Sequence, residues 1–574
     1  MAILLDRCRT FKTLDEHAVK CAEDFAALNR GAAPPDAGAI RKHLAALAEG
    51  GLLISETAVL EECREFVETP SRIASVGVLT RNRTGGLERC LRSYVESCKR
   101  YGRTNDFVVM DDSETPATRD SARGVLSVLK REFGVEVSYA GREEKASFAG
   151  SLISEGGFEP DLVNFALTDS GGHEFSCGKN RNALFLHTVG DLVFSSDDDA
   201  VCRIVAPPAS EGGREQEARG QPLTPVELWF FADREEALSA ASFVEEEPLA
   251  VHERLLGRSL ADCLASFGDV SLLSLERPLS HHLRGLRSDA GRVLVTLTGM
   301  IGDSGIRAPV TYKVLRRASR ERLIESERAY LSARSSREVL RVATRYCVSS
   351  RTWFVSTALG FDNRKLLPPF FPVLRGTDGI FSETLRRCFE YGYFGDVPRA
   401  ILHAPLKPRV YERDDIVRSA ARVTMSSLMA SLISSQHFRP GMPDGAEKMR
   451  ALGQHLMELG TLSLRDFEEF ARLHLWRARS GMISNLEKDL MDYRDAPHYW
   501  ASDLKSYLGI MREALTKPEY VVPADLQEGR SLDEARELSR RLVLRFGRLL
   551  RNWPDLIEAA RRLRARGERL AVPI

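Results

Sequence analysis

Residues 190–204, GDLVFSSDDDAVCRI, decide how the chain reads. An apolar run at 192–194 passes through two serines straight into Asp197, Asp198 and Asp199. Three carboxylates at the end of a buried strand repel one another and lose hydration, so a packed domain needs a counter-charge there. A divalent cation would supply one. Composition tempers the inference: 81 acidic residues in 574 give about 1.6 such triplets by chance. Glu245, Glu246 and Glu247 form another. The triplet is informative because it follows a strand, and its neighbours decide what it means.

Working outward, IASVGVLT (73–80) is an apolar strand, followed by the loop RNRTGG and the amphipathic helix LERCLRSYVESCKRYG. DFVVMDDS (106–113) is a second strand ending in acids. The helix SARGVLSVLKREFG then leads to a third strand, VEVSYAG, and GKNRNALFLHTVG supplies a helix before the 192–194 strand. This βαβαβ order predicts an α/β fold with a doubly wound sheet and a ligand at the carboxyl ends of its strands. Three loops at those ends carry polar or charged chemistry: 80–83, 111–113 and 197–199.

These residues also carry a family resemblance. VGVLTRNRTGGLERCLRSY, VVMDDSE and GKNRNALFLHTVGDLVFSSDDDA resemble, in order and spacing, the first strand and loop, the second strand, and the Gly...Arg-Asn helix with Asp-x-Asp motif of family-two nucleotide-sugar glycosyltransferases with the A-type fold. Further on, WFVSTALGFDNRKLLPPFFPVLRGTDGIFSETLRRCFEYGYFGDVPRAILHAP is similar to that family's acceptor half. The resemblance implies a metal-dependent, inverting transfer of sugar from a nucleoside-diphosphate sugar, a UDP-sugar being the expected donor, to a hydroxyl or thiol. It implies Asp197, Asp199 and His403 as ligands of Mn²⁺ or Mg²⁺, with Asp197 or Asp198 also reaching the ribose or sugar. Thr80, Arg81, Asn82, Asp111, Asp112 and Arg181 would hold the donor, Asp111 at the base and Arg181 at phosphate or an aspartate. Asp378 would be the base that deprotonates the acceptor, with Glu383 in reserve, because Thr377-Asp378 stands where the family has Glu-Asp. Without that context Asp378 reads as a helix cap, His403 as a core histidine, and Asn182 as a local backbone ligand.

The rest of the chain surrounds this unit. Residues 1–66 form a small helical module whose helix, turn, helix and short strand (LLIS, 52–55) outline a winged helix. That outline weakly resembles peptide-binding winged-helix modules fused to enzymes that modify ribosomally made peptides; it reads equally as a helical cap packed on the next domain. A transferase-like domain at 67–412 would hold an insertion at about 205–345, with a polar loop, PPASEGGREQEARGQP, and strands at VELWFFA and RVLVTLTGMIGDSGI. GMIGDSG lacks the Gly-Lys-Ser/Thr ending of a phosphate-binding P-loop and reads as a tight turn, with Asp303 or Ser304 as an outside candidate for substrate contact. From 413 to 574 the chain reads as an appended helical domain. The uncharged, serine-rich 423–438 segment is expected to be a buried helix. The eleven arginines between Arg536 and Arg569 read as a solvated basic face or, more sharply, a peripheral dock for an anionic membrane or lipid-diphosphate acceptor.

Zero net charge removes any global case for a nucleic-acid partner. Ten cysteines without a CxxC pair suit a reducing cytoplasm rather than a zinc site. No apolar run reaches the ~18 residues of a membrane-spanning helix, and the apolar start of the chain is too short for a signal-peptide core. The acceptor is left open between peptide, glycan and lipid-linked sugar. Two competing readings are a non-catalytic peptide- or sugar-binding protein on a degenerate transferase fold, motivated by Thr377, and a nucleotidyltransferase, which RNRTGG fits poorly.

Overall fold

A computed structural model describes residues 2–8, 11–28, 33, 35–64, 68–169, 177–208, 226–269, 272–273, 279–287, 291–306, 309–350, 354–412, 414–443 and 445–574. The strands are β1 (Ser75–Thr80), β2 (Asp106–Asp111), β3 (Val137–Ala140), β4 (Leu192–Asp197), β5 (Ala200–Ala206), β6 (Val226–Phe230), β7 (Ser242–Val244), β8 (Arg292–Asp303), β9 (Glu338–Ala343), β10 (Cys347–Ser349), β11 (Ala358–Asp362), β12 (Gly392–His403) and β13 (Val572–Pro573). All thirteen join one mixed sheet, ordered β13-β3-β2-β1-β4-β11-β8-β12-β5-β7, with β10 on β12 and β6 reached through β9.

The parallel part, β3-β2-β1-β4, is the expected doubly wound core. All six residues of β1 are buried, as an apolar run covered on both faces requires. Register aligns the chemistry: Thr80 sits opposite Asp111, and Leu79 opposite Asp197, so the first three loops leave the same edge. Beyond β4 the sheet turns antiparallel through β11. The twelve-residue β8 then forks, pairing β11 with its first half and β9 with its second, while β12 runs parallel along its other side. β5 returns directly from β4 and pairs with β12, placing His403 opposite Ala200. Asp198 and Asp199 are therefore the turn between β4 and β5, strands consecutive in the chain but separated in the sheet by β11, β8 and β12.

Most strands of the expected insertion are built into this sheet, and much of its polar loop lies outside the described residues. β8 runs through Asp303 instead of turning at GMIGDSG; Gly302 accommodates a φ of 107° there, against the His403 carbonyl. At the N-terminus, helices Leu14–Leu28 and Ala37–Glu49 close a small core around Cys21, Leu44 and Leu47. The strand expected at 52–55 is absent: those residues lead unpaired into helix Glu56–Cys63, which Ser55 caps.

The C-terminal helices share the core of the sheet. Phe165, Phe185, Phe361 and Phe381 belong to one buried cluster with Leu428, Leu456, Phe546 and Trp553. Trp553, on helix Leu532–Ala565, donates its indole N–H to the Leu367 carbonyl at 2.8 Å. The arginines of that helix and its C-terminal extension are largely spent within the molecule: Arg545 pairs with Asp161 and Asp169, Arg562 and Arg566 with Glu155, and Arg564 with Asp191. The solvated basic face expected there is thus partly consumed in packing contacts. Among the described residues no helix is long and apolar enough to cross a membrane.

Candidate functional site

A cleft of about 1500 Å³ opens at the carboxyl ends of β1 and β4. That exceeds the ~300–1,000 Å³ of an ordinary small-molecule pocket and leaves room for two substrates. Thr80, Arg81, Asn82, Arg83, Arg181, Asp197, Asp198, Asp199, Asp378, Glu383 and His403 all line it, although they come from five separate segments. Helix Met425–Ser435 and helix Leu464–Asp492 form the opposite wall.

Each carboxylate of the turn has its own partners. Asp198 accepts from the Thr80 hydroxyl at 2.8 Å and from Arg83 at 3.1 Å. Asp199 faces His403 Nε2 at 3.0 Å, with Arg83 at 3.3 Å and Arg409 at 3.6 Å. Asp197, whose side chain keeps 33% of its surface, takes Arg181 at 3.0 Å. Burial at the cleft floor pushes Asp197 up to about 7 against the pull of Arg181, with Asp199 and Asp378 adding repulsion. Burial and Asp199 together hold Asp198 up at about 6. Asp199 goes the other way: despite burial, His403 and the arginines hold it well below the carboxylate range. Helix Thr84–Arg100 starts directly against this turn, where a Cβ on Gly86 would lie 3.0 Å from the Asp198 carbonyl.

His403 has a partner at each ring nitrogen. Its Nδ1 meets the Asp303 carbonyl, which can only accept, so Nδ1 carries a proton. Nε2 then faces Asp199 Oδ1 and needs either a second proton or a cation shared between the two. Burial lowers the affinity of this ring for a proton, but Asp199 and Asp303 outweigh it and raise the pKa. Asp303 is itself buried and bonded to Arg337 and Arg409, so it orients His403 and Arg409 from behind and does not line the cleft. Ser304 is likewise turned away, onto Tyr411.

Arg181 links the turn to Asp378. It stands on helix Cys177–His187, whose start is pressed so closely on the 370–372 segment that a Cβ on Gly178 would lie 1.9 Å from the Phe371 carbonyl oxygen. Asn182 clasps the same segment, donating to the Phe370 carbonyl at 3.0 Å and accepting from its N–H at 2.8 Å; it is a long-range clasp and not a local one. Arg181 Nη1 lies 4.0 Å from Asp378 Oδ1. Gly376, with φ 78°, occupies the cap position of helix Thr377–Cys388, so Asp378 is not the cap. Burial raises the pKa of its carboxyl against Arg181 and against hydrogen bonding from Ser356 and Thr377. Glu383 is bonded to Arg386 and Ser434.

Comparison of the chain with family models, with curated proteins and with solved structures found no match. The site therefore stands on its own geometry.

Two expected donor contacts are not brought to the cleft. Asp111 is fully buried, its carboxylate accepting from the Tyr139 hydroxyl at 2.8 Å and the Ser113 N–H at 2.7 Å. Asp112 is buried beside Lys179 and Arg142. Both brace the second loop from inside, and Lys145 joins them by donating to the Asp111 carbonyl. Glu114, paired with Arg81 at 2.7 Å, is the acid of that loop that reaches the cleft. Arg83, Arg409 and the helical wall were not singled out from sequence. Arg83 was signalled by its place in the first loop; Arg409 and the wall come from distant segments with no local mark.

Among the described residues no group of three or more His, Cys, Asp or Glu side chains is arranged to hold a metal. The Asp199–His403 pair nonetheless fits one. Its 3.0 Å separation is close to that of neighbouring ligands around an octahedral ion with bonds of about 2.1 Å. An oxygen and an imidazole nitrogen suit Mn²⁺.

Proposed function

We propose that the protein is a glycosyltransferase that moves a sugar from a nucleoside-diphosphate sugar to an acceptor nucleophile. The observation that carries this is that the Asp197–Asp199 turn and a second buried carboxylate, Asp378, line one large cleft and share an arginine, Arg181. The strand order and the loops at 80–83 and 197–199 agree with the resemblance to family-two enzymes of the A-type fold.

Asp199 and His403 would hold Mn²⁺ or Mg²⁺, with Asp197 nearby. Bound there, the ion would neutralise the departing diphosphate as a Lewis acid. Arg83 stands beside the same turn to pair with phosphate oxygens. Arg81, Asn82 and Glu114, rather than the sealed Asp111, would meet the base end of the donor. In the transfer, the bond from the anomeric carbon to the diphosphate oxygen breaks and takes its electron pair to the leaving group. A bond to the acceptor oxygen or sulfur forms on the opposite face, and the acceptor proton passes to Asp378. Its raised pKa suits this role, because a base is most effective when its pKa approaches the working pH. Inversion in a single displacement is taken from the resemblance.

Incubation with UDP-, GDP- and TDP-sugars and Mn²⁺ should release nucleotide from one of them. If none turns over, and Asp199→Ala binds nucleoside diphosphate as the wild type does, the proposal fails.

A further inference from the structure

The wall opposite the aspartates has a different chemistry. On helix Leu464–Asp492, His474, Arg477, Ala478, Gly481 and Asn485 recur at helical spacing and form one continuous face toward the cleft. From helix Met425–Ser435, Ser427, Ser431, Ser434 and Ser435 line the cleft beside it, while Leu428, Met429, Leu432 and Ile433 of the same helix enter the core. His474 is fixed by the Phe470 ring, 4.5 Å away between centroids, and Phe470 also contacts His455, which meets the Ser435 hydroxyl at 2.9 Å.

This wall carries positive potential with little to balance it. The carboxylate nearest its serines, Glu383, is already bonded to Arg386 and Ser434. Among the described residues Arg477 makes no ion pair. Burial, then Arg477 and His437, hold His474 below the ordinary histidine range, so the three groups are close enough to repel. Three histidines in one region invite a metal, yet they are not grouped to hold one. A guanidinium without an ion pair, with imidazoles beside it, complements an oxyanion and rejects cationic or purely apolar groups.

We propose that this wall is the acceptor subsite and that it takes an acceptor bearing an oxyanion, phosphate or carboxylate. Arg477 is its charge partner, His474 joins it when protonated, and the serine oxygens, whose protons go to Ser427, Glu383 and Leu432, accept from the hydroxyls around the anion. The term acceptor rests on the transfer function proposed above; anion binding at this wall does not.

The test is calorimetric titration of the full chain with glucose 6-phosphate, glucuronate, inorganic phosphate and glucose, with imidazole NMR following His474. At least one sugar anion should bind tenfold or more tighter than glucose and raise the His474 pKa. Preference for the sugar phosphate over glucuronate identifies phosphate as the source, and the reverse identifies a carboxylate. Arg477→Gln should lose at least tenfold of this affinity with an unchanged melting temperature. Arg541→Gln, on the exposed side of the last helix, should lose none. Equal binding of glucose and the anions, no binding of any anion, or full affinity in Arg477→Gln would each overturn the proposal. UDP binding without anion binding overturns the subsite alone. Anion binding without nucleotide binding leaves the subsite standing and removes the transferase.

Discussion

At the sheet edge every carboxylate of the turn is matched with a cation from another segment: Asp197 with Arg181, Asp198 with Arg83, Asp199 with His403 and Arg409. On the helical wall His474 and Arg477 face the cleft from a single helix, and Glu383 beside them is bonded to Arg386 and to the wall's own Ser434. The first wall is assembled by long-range pairing, in which charge is fixed before a ligand arrives. The second is a surface of unbalanced potential on a rigid scaffold. One suits stabilising charge that develops during a reaction, the other attracting a charge already present.

The contrast is tested most severely at Asp378. Asp378→Asn should lower transfer by about 10²–10⁴-fold while nucleoside-diphosphate affinity stays within a few-fold, as measured by steady-state kinetics and calorimetry. A parallel loss of nucleotide binding would make Asp378 a donor ligand instead. At Asp199 the expectation is a stability effect as well as a functional one. Asp199→Ala leaves the Nε2 of the buried His403 without its partner and should cost about 3–5 kcal/mol in denaturant unfolding, whereas Arg409 keeps Asp303. Arg477→Gln, lacking any such partner, should unfold as the wild type does.

The two walls should also respond oppositely to pH. Asp197 and Asp198, held at about 7 and about 6, gain protons as the pH falls, and a neutral carboxyl no longer attracts a cation. Affinity for Mn²⁺-nucleotide should therefore fall between about pH 8 and about pH 5. His474, held below the ordinary histidine range by burial, Arg477 and His437, gains a positive charge as the pH falls, so anion affinity at the helical wall should rise toward acid. Calorimetry across pH reads both slopes, and slopes of the same sign would remove the distinction. The smallest effect belongs to the tether between the walls: Ser434→Ala removes the hydroxyl bonded to Glu383 and should cost about 1–2 kcal/mol.

Much of the sheet edge was legible in sequence because it is written locally. Apolar runs end in polar loops at β1, β2 and β4, and parallel pairing then brings those loops together without further instruction. The fate of Asp111 was not legible, since Tyr139 and Lys145, which seal it, lie on later segments and carry no mark of their destination. Nor was the serine-rich helix: absence of charge suggested burial, but only one face is buried, and the serines at the complementary spacing face a cavity instead of a core. The arginines of the last helix misled for a related reason. Their partners, Glu155, Asp161 and Asp191, are hundreds of residues earlier, so pairing that is dense in space is invisible along the chain.

The sheet's outer margin beside β3 is finished by β13, two residues from the far end of the numbering: Val572 pairs with Tyr139, Pro573 with Ser138, and Ile574 donates to the Val137 carbonyl at 2.9 Å. An open strand edge is a template for adding foreign chains, and proline, with no N–H to offer, is a poor continuation of a ladder. Pro573 thus works as a stopper against self-association. Clipping the chain after Ala571, which keeps Leu570 and Ala571 in the core, should leave the cleft intact but turn β3 into a sticky rim, so that shelf life at high concentration, rather than turnover, would be the first property to suffer.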